Sequence, residues 1–112
     1  MREIRFRAWD GTDMIYDYQM FTFFHDQLIC EGDTIALQFT GLQDKYSREI
    51  IEGDIVNLNG INSFVEYRDG AFVLRSPRIN PTPNLADVLN LIPLEIVGNI
   101  YQNPELLNGN KG

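Results

Sequence analysis

The run Phe64-Val65-Glu66-Tyr67-Arg68, then Asp69-Gly70, then Ala71-Phe72-Val73-Leu74-Arg75 constrains the fold of this chain more than any other feature. Side chains on either side of Asp-Gly alternate with the period of a half-buried strand. Asp69-Gly70 supplies the positive φ angles of a two-residue type I′ turn, whose twist suits the flanking strands. That register sets Tyr67 opposite Phe72 and Val65 opposite Leu74, so these four share a core face. Glu66, Arg68 and Arg75 fall on the other face, which is at least partly wet.

Strand signals recur through the rest of the chain. Ile4, Phe6 and Ala8 alternate with Arg5, Arg7 and Trp9, Asp10 to Asp13 is turn chemistry, and Met14-Ile15-Tyr16 starts a return strand. A loop of two or of four residues both fit, and the choice sets the register. Met20 to Phe24 and Ile35 to Thr40 read as further strands, and Ile55-Val56 enters another that stops near Asn59-Gly60. Pro77, Pro81 and Pro83 make Ser76 to Pro83 an irregular loop. Asn84 caps a short helix from Leu85 to Asn90 that Pro93 ends, and Leu94 to Tyr101 is strand-like with Gly98 as a bulge. Asn103-Pro104-Glu105 is a helix start, and Asn108 to Gly112 frays.

The segment QFTGLQDKYSREIIEGDIV, Gln38 to Val56, is read as a corner between strands. Gly41 permits a turn, Lys45 to Arg48 bulges into solvent, and Gly53-Asp54 resets direction, with Asp54 accepting hydrogen bonds from amides of the turn. It is no phosphate loop, because Gly41 and Gly53 are 12 apart and Lys45 is followed by Tyr46.

Three ordered islands, MREIRFRAWD with Met14-Ile15, then Gln38 to Val56, then EIVGNIYQNPELL from Glu95 to Leu107, resemble the YopX family of small phage and prophage proteins. The match is weakest from Arg78 to Ile92. The family commonly carries Asn-Gly where this chain has Tyr46-Ser47, so the turn is expected to use another conformation here. The resemblance implies a mostly β protein encoded by a bacteriophage or prophage. It carries over no catalytic residue.

Composition narrows function further. The net charge is −7, and it is uneven: up to Val56 there are 5 Lys and Arg against 11 Asp and Glu, and beyond it 4 against 5. Such a field repels phosphate backbones and disfavours generic nucleic-acid binding. The lone Cys30 sits beside Glu31 and Asp33, which raises a thiol pKa, and it points to an inert thiol in a reducing cytoplasm. No apolar run approaches a membrane span, and the N-terminus lacks the apolar core of a signal peptide. His25, Asp26, Glu31 and Asp33 read as a solvated loop, since one His without a spaced partner is no metal signature. His25 would also have to serve any serine triad with Ser47, Ser63 or Ser76, and none of these lies in a nucleophile elbow. Sixteen acids always contain some pair at a glycosidase-like distance, so that pattern carries no weight.

Arg5, Arg7 and Trp9 share one strand face. That face suits ion pairing with Asp10, Asp13 and Asp17, a subunit contact, or stacking on bases. The expectation is an all-β protein: an N-terminal β arm over 1–37, a small SH3-like barrel over 38–107 and a tail over 108–112. It is expected to be non-enzymatic, without cofactor or metal. Its expected partners are further copies of itself or a phage or host protein, with a nucleic-acid regulator using the Arg5, Arg7 and Trp9 face as the alternative. The aromatics Phe6, Trp9, Tyr16, Tyr18, Phe21, Phe23 and Phe24 exceed what a short arm can bury, which favours self-association.

Overall fold

The computed structural model describes residues 5–16, 34–79 and 81–108, together with the backbone of 22–24 and 27–29. His25, Asp26, Cys30, Glu31, Asp33 and residues 109–112 lie outside the described residues, as do Asp17, Tyr18 and Phe21. The fold is all-β with two short helices. The chain divides into two compact units, Met1–Phe39 and Thr40–Gly112.

In the first unit β1 (Phe6–Trp9) lies between β2 (Met14–Ile15) and the first part of β5 (Ile35–Gln43), all antiparallel. Trp9 pairs with Met14, so the connecting loop is the four-residue Asp10–Asp13. Asp10 Oδ1 closes it by accepting the amides of Thr12 at 2.8 Å and Asp13 at 2.7 Å. These amides hold the Asp10 carboxyl below its ordinary range. A separate ribbon pairs β3 (Thr22–Phe24) with β4 (Gln27–Ile29).

The second unit begins within β5, whose later residues run beside β6 (Glu49–Ile51). Its main sheet has the order β10-β7-β8-β9, built from β7 (Asp54–Leu58), β8 (Ile61–Arg68), β9 (Ala71–Arg75) and β10 (Glu95–Asn99). Two tight hairpins connect β7, β8 and β9. Asn59 and Gly60 have φ of +51° and +90° between Leu58 and its partner Ile61, and Asp69 and Gly70 have +52° and +85° between Arg68 and its partner Ala71. Both pairs of angles are those of type I′ turns.

The core of this unit is Ile50, Val56, Val65, Leu74, Leu85 and Leu94, each almost fully buried, with Leu42, Phe72 and Ile96 packed on it. Val65 faces Leu74 and Tyr67 faces Phe72, with the two rings 5.0 Å apart edge to face. The core face nevertheless ends before the hairpin tip, because Tyr67 is 49% exposed. The residues beside a two-residue turn project past the sheet that would cover them.

The helices are α1 (Leu85–Leu89) and α2 (Glu105–Asn108). Asn84 precedes α1 but its side chain makes no cap, which corrects the expected role. Its backbone instead bridges to Val73, and Pro83 O accepts the amide of Leu74 at 3.0 Å. The entry to α1 is thereby held by the edge of β9.

Candidate interaction face and corner clamp

In the first unit the strand register places Met14, Trp9 and Ile35 in one cross-strand row, and Arg7 and Leu37 in the next. Directly opposed residues of antiparallel strands project on the same side. Arg5 stacks its guanidinium on Phe39, 4.5 Å from the ring centre, and Arg7 does so on Tyr16 at 5.7 Å. Arg7 Nη1 also donates to the Tyr16 hydroxyl at 3.4 Å. The face thus alternates arginine with aromatic and aliphatic groups. Its cations are unequal in access: Arg7 is only 2% exposed, while Arg5 and Trp9 are half-buried. On this face Tyr16 and Ile35 are 55% and 42% exposed, and Ile15, which pairs with Ala8 and so projects from the reverse face, is 39% exposed.

The second unit carries a polar centre that sequence patterns alone did not single out. Asp44 directly follows β5, with its side chain fully buried. Its Oδ1 accepts the amides of Tyr46 and Arg48, both at 2.9 Å, and its Oδ2 accepts Arg48 Nε at 2.9 Å and the amide of Ile96 at 3.2 Å. Arg48 Nη2 lies 2.8 Å from the same oxygen and also donates to Ile96 O at 2.9 Å. Burial is the largest influence on this carboxyl and pushes its pKa up. Donation from the Arg48 amide and guanidinium and from the amides of Ile96 and Tyr46 outweighs it, so the carboxyl is held below its ordinary range.

Lys45 extends the clamp, its amide donating to Leu94 O at 2.8 Å and its ammonium lying 3.5 Å from Glu95. The corner therefore occupies backbone groups of Leu94 and Ile96 on the outer side of β10, an edge strand of its sheet. An edge strand with free amides and carbonyls is a template for unwanted pairing, and this one is covered. With both carboxylate oxygens filled, the centre is architectural.

The expected turn residues take up distinct roles. Gly41 has φ of +83° but lies inside β5, so the strand bends there instead of turning. Thr40 holds the bend, accepting the amide of Leu42 at 3.1 Å and donating to Ile50 O at 2.7 Å. The turn itself is at 44–48, and Ser47 adopts φ of +65°. This is a left-handed backbone at a residue other than glycine, held because Asp44 grips the amides of Tyr46 and Arg48 on both sides of it. Gly53 has φ of +91°, and Asp54 Oδ2 accepts the amide of Ile51 at 2.8 Å. Gly98 sits at a register shift between β10 and β7. A Cβ there would lie 2.6 Å from Asn103 Oδ1 and 2.9 Å from Leu106 Cδ1. Asn103 does not cap α2 with its side chain. It accepts the amide of Asn99 at 3.1 Å, while Asn99 O accepts the Asn103 amide at 2.8 Å.

Among the described residues no three His, Cys, Asp or Glu side chains group to hold a metal ion, and no helix is long and apolar enough to cross a membrane.

The sheets and the corner clamp define a small all-β protein whose conspicuous polar centre is structural. The family profile described as "YopX protein" matches residues 19–108, and the chain belongs to the YopX family. Solved structures similar in fold include the following two. Protein EF1440 from Enterococcus faecalis is 23% identical with a TM-score of 0.66, covering 94% of this chain and 98% of that one. Protein yopX from Bacillus subtilis is 19% identical with a TM-score of 0.58, covering 91% and 96%. No curated protein is significantly similar.

Proposed function

We propose that this protein is a non-enzymatic interaction module of a bacteriophage or prophage, acting in the bacterial cytoplasm by assembling with further copies of itself. The observation that carries this reading is the exposed apolar part of the first unit's sheet, where Tyr16 and Ile35 share a face with Trp9 and Met14, and Ile15 is exposed on the reverse face. Apolar groups so placed gain free energy when a partner covers them. The adjoining edge strand β2 offers backbone groups for the same contact. A nucleic-acid role for this face is the weaker reading, since phosphate capture needs accessible cations and Arg7 is buried.

Sedimentation velocity at micromolar concentration tests the proposal. Self-assembly predicts a mass above that of the 12.9 kDa chain, reduced to the monomer by Trp9→Glu. A monomer at every concentration overturns it. Salt-sensitive binding of DNA or RNA by that monomer would favour the nucleic-acid role.

A further inference from the structure

We propose that Asn59-Gly60 is a site of spontaneous deamidation whose rate is set by Asn57. Asn59 and Gly60 occupy the exposed type I′ turn between β7 and β8. The Asn59 carboxamide makes no hydrogen bond among the described residues, and nothing lies within 4 Å of where a Gly60 Cβ would be. The Asn59 side chain is therefore not held away from the Gly60 nitrogen, and the space around Gly60 is open.

The reaction needs that nitrogen without its proton. A solvent base removes the Gly60 N–H proton, the nitrogen forms a bond to Asn59 Cγ, and the Cγ–Nδ2 bond breaks to release ammonia, which takes up its proton from water. One water then opens the cyclic imide at either carbonyl, leaving aspartate or isoaspartate. No oxidant or reductant is involved. Isoaspartate lengthens the main chain inside a two-residue turn, where Leu58 and Ile61 are directly paired.

Asn57 opposes the first step. Its Oδ1 accepts the Gly60 N–H at 3.1 Å, which stabilises the protonated nitrogen. Asn57 is itself held: its Nδ2 donates to Asn62 Oδ1 at 3.0 Å, and Asn62 Nδ2 donates to Leu106 O at 3.0 Å. This chain of amides runs from α2 to the turn, and each link orients the next.

The test is peptide mapping by mass spectrometry of the intact protein aged at mildly alkaline pH. Asn108-Gly109 in the same chain serves as a second clock. Asn59 should gain a single dalton, more slowly in the native protein than in denaturant. Asn57→Ala should raise the native Asn59 rate about fivefold, the equivalent of one net hydrogen bond. Asn57→Asp, which retains an oxygen to accept the Gly60 N–H, should stay near the native rate. Equal native rates in wild type and a folded Asn57→Ala variant would overturn the proposal, as would an unmodified Asn59 in the native chain. Hydrogen exchange of the wild type gives a reading that needs no variant. A Gly60 amide exchanging at the random-coil rate would show that Asn57 exerts no hold.

Discussion

Arg48 holds Asp44 twice, donating to it from its backbone amide and from its guanidinium, and then reaches past it to Ile96 O. Two segments far apart in sequence, the turn at 44–48 and β10 at Ile96, meet at one buried carboxylate. Replacing Asp44 with Ala leaves the amides of Tyr46, Arg48 and Ile96 without this acceptor, and an unmet buried donor carries its full desolvation cost. Asp44→Ala should lower stability by about 2–3 kcal/mol. Chemical denaturation of the folded variant checks this, and an unchanged midpoint would mean that water replaces the carboxylate at little cost.

The same carboxylate gives stability a pH dependence. Its folded pKa is depressed, so its contribution is present above the unfolded carboxylate pKa and is lost as pH falls through the folded value. Denaturant midpoints measured from neutral to strongly acidic pH should fall on the acid side. Asp44→Asn should be less stable at neutral pH and show a shallower acid-side decline. A parallel decline in both proteins would assign the acid sensitivity to other carboxylates.

Gly98→Ala tests the close approach of β10 to the start of α2. The added methyl meets Asn103 Oδ1 and Leu106 Cδ1 at less than contact distance, and the expected cost is about 1–3 kcal/mol. Because Asn103 is the nearer obstacle, combining Gly98→Ala with Asn103→Ala should cost less than the sum of the single changes. Thermal melting of the four proteins completes the cycle, and strict additivity would count against the contact.

Ser47→Gly should stabilise the protein by up to about 1 kcal/mol. A side chain at φ of +65° carries left-handed strain that glycine escapes, although glycine also loses more freedom on folding. A melting temperature below that of the wild type would mean that the Asp44 hydrogen bonds already pay for Ser47 in full.

The hairpin at Asp69-Gly70 was legible from the residues because its determinants are local: a dipeptide suited to positive φ, flanked by strands of period two. The register of Val65 with Leu74 followed, as did the short helix after the proline-rich loop and the special position of Gly98. Asn59-Gly60 uses the same chemistry, yet only the observed pairing of Leu58 with Ile61 identifies it as a hairpin. The clamp was not legible. Asp44 and Arg48, four residues apart in a polar stretch, look like any solvated pair, and Asp44 is buried only because β10, some fifty positions later, lies against the corner. Tyr67 ends exposed for a similar reason, since alternation shows which residues share a face but not how far a covering layer extends. Local backbone preference and side-chain period therefore determined strands and turns. Which polar groups left water, and which apolar ones stayed in it, was decided by contacts between segments distant in sequence, where burial changes the cost of a charge and the value of a hydrogen bond.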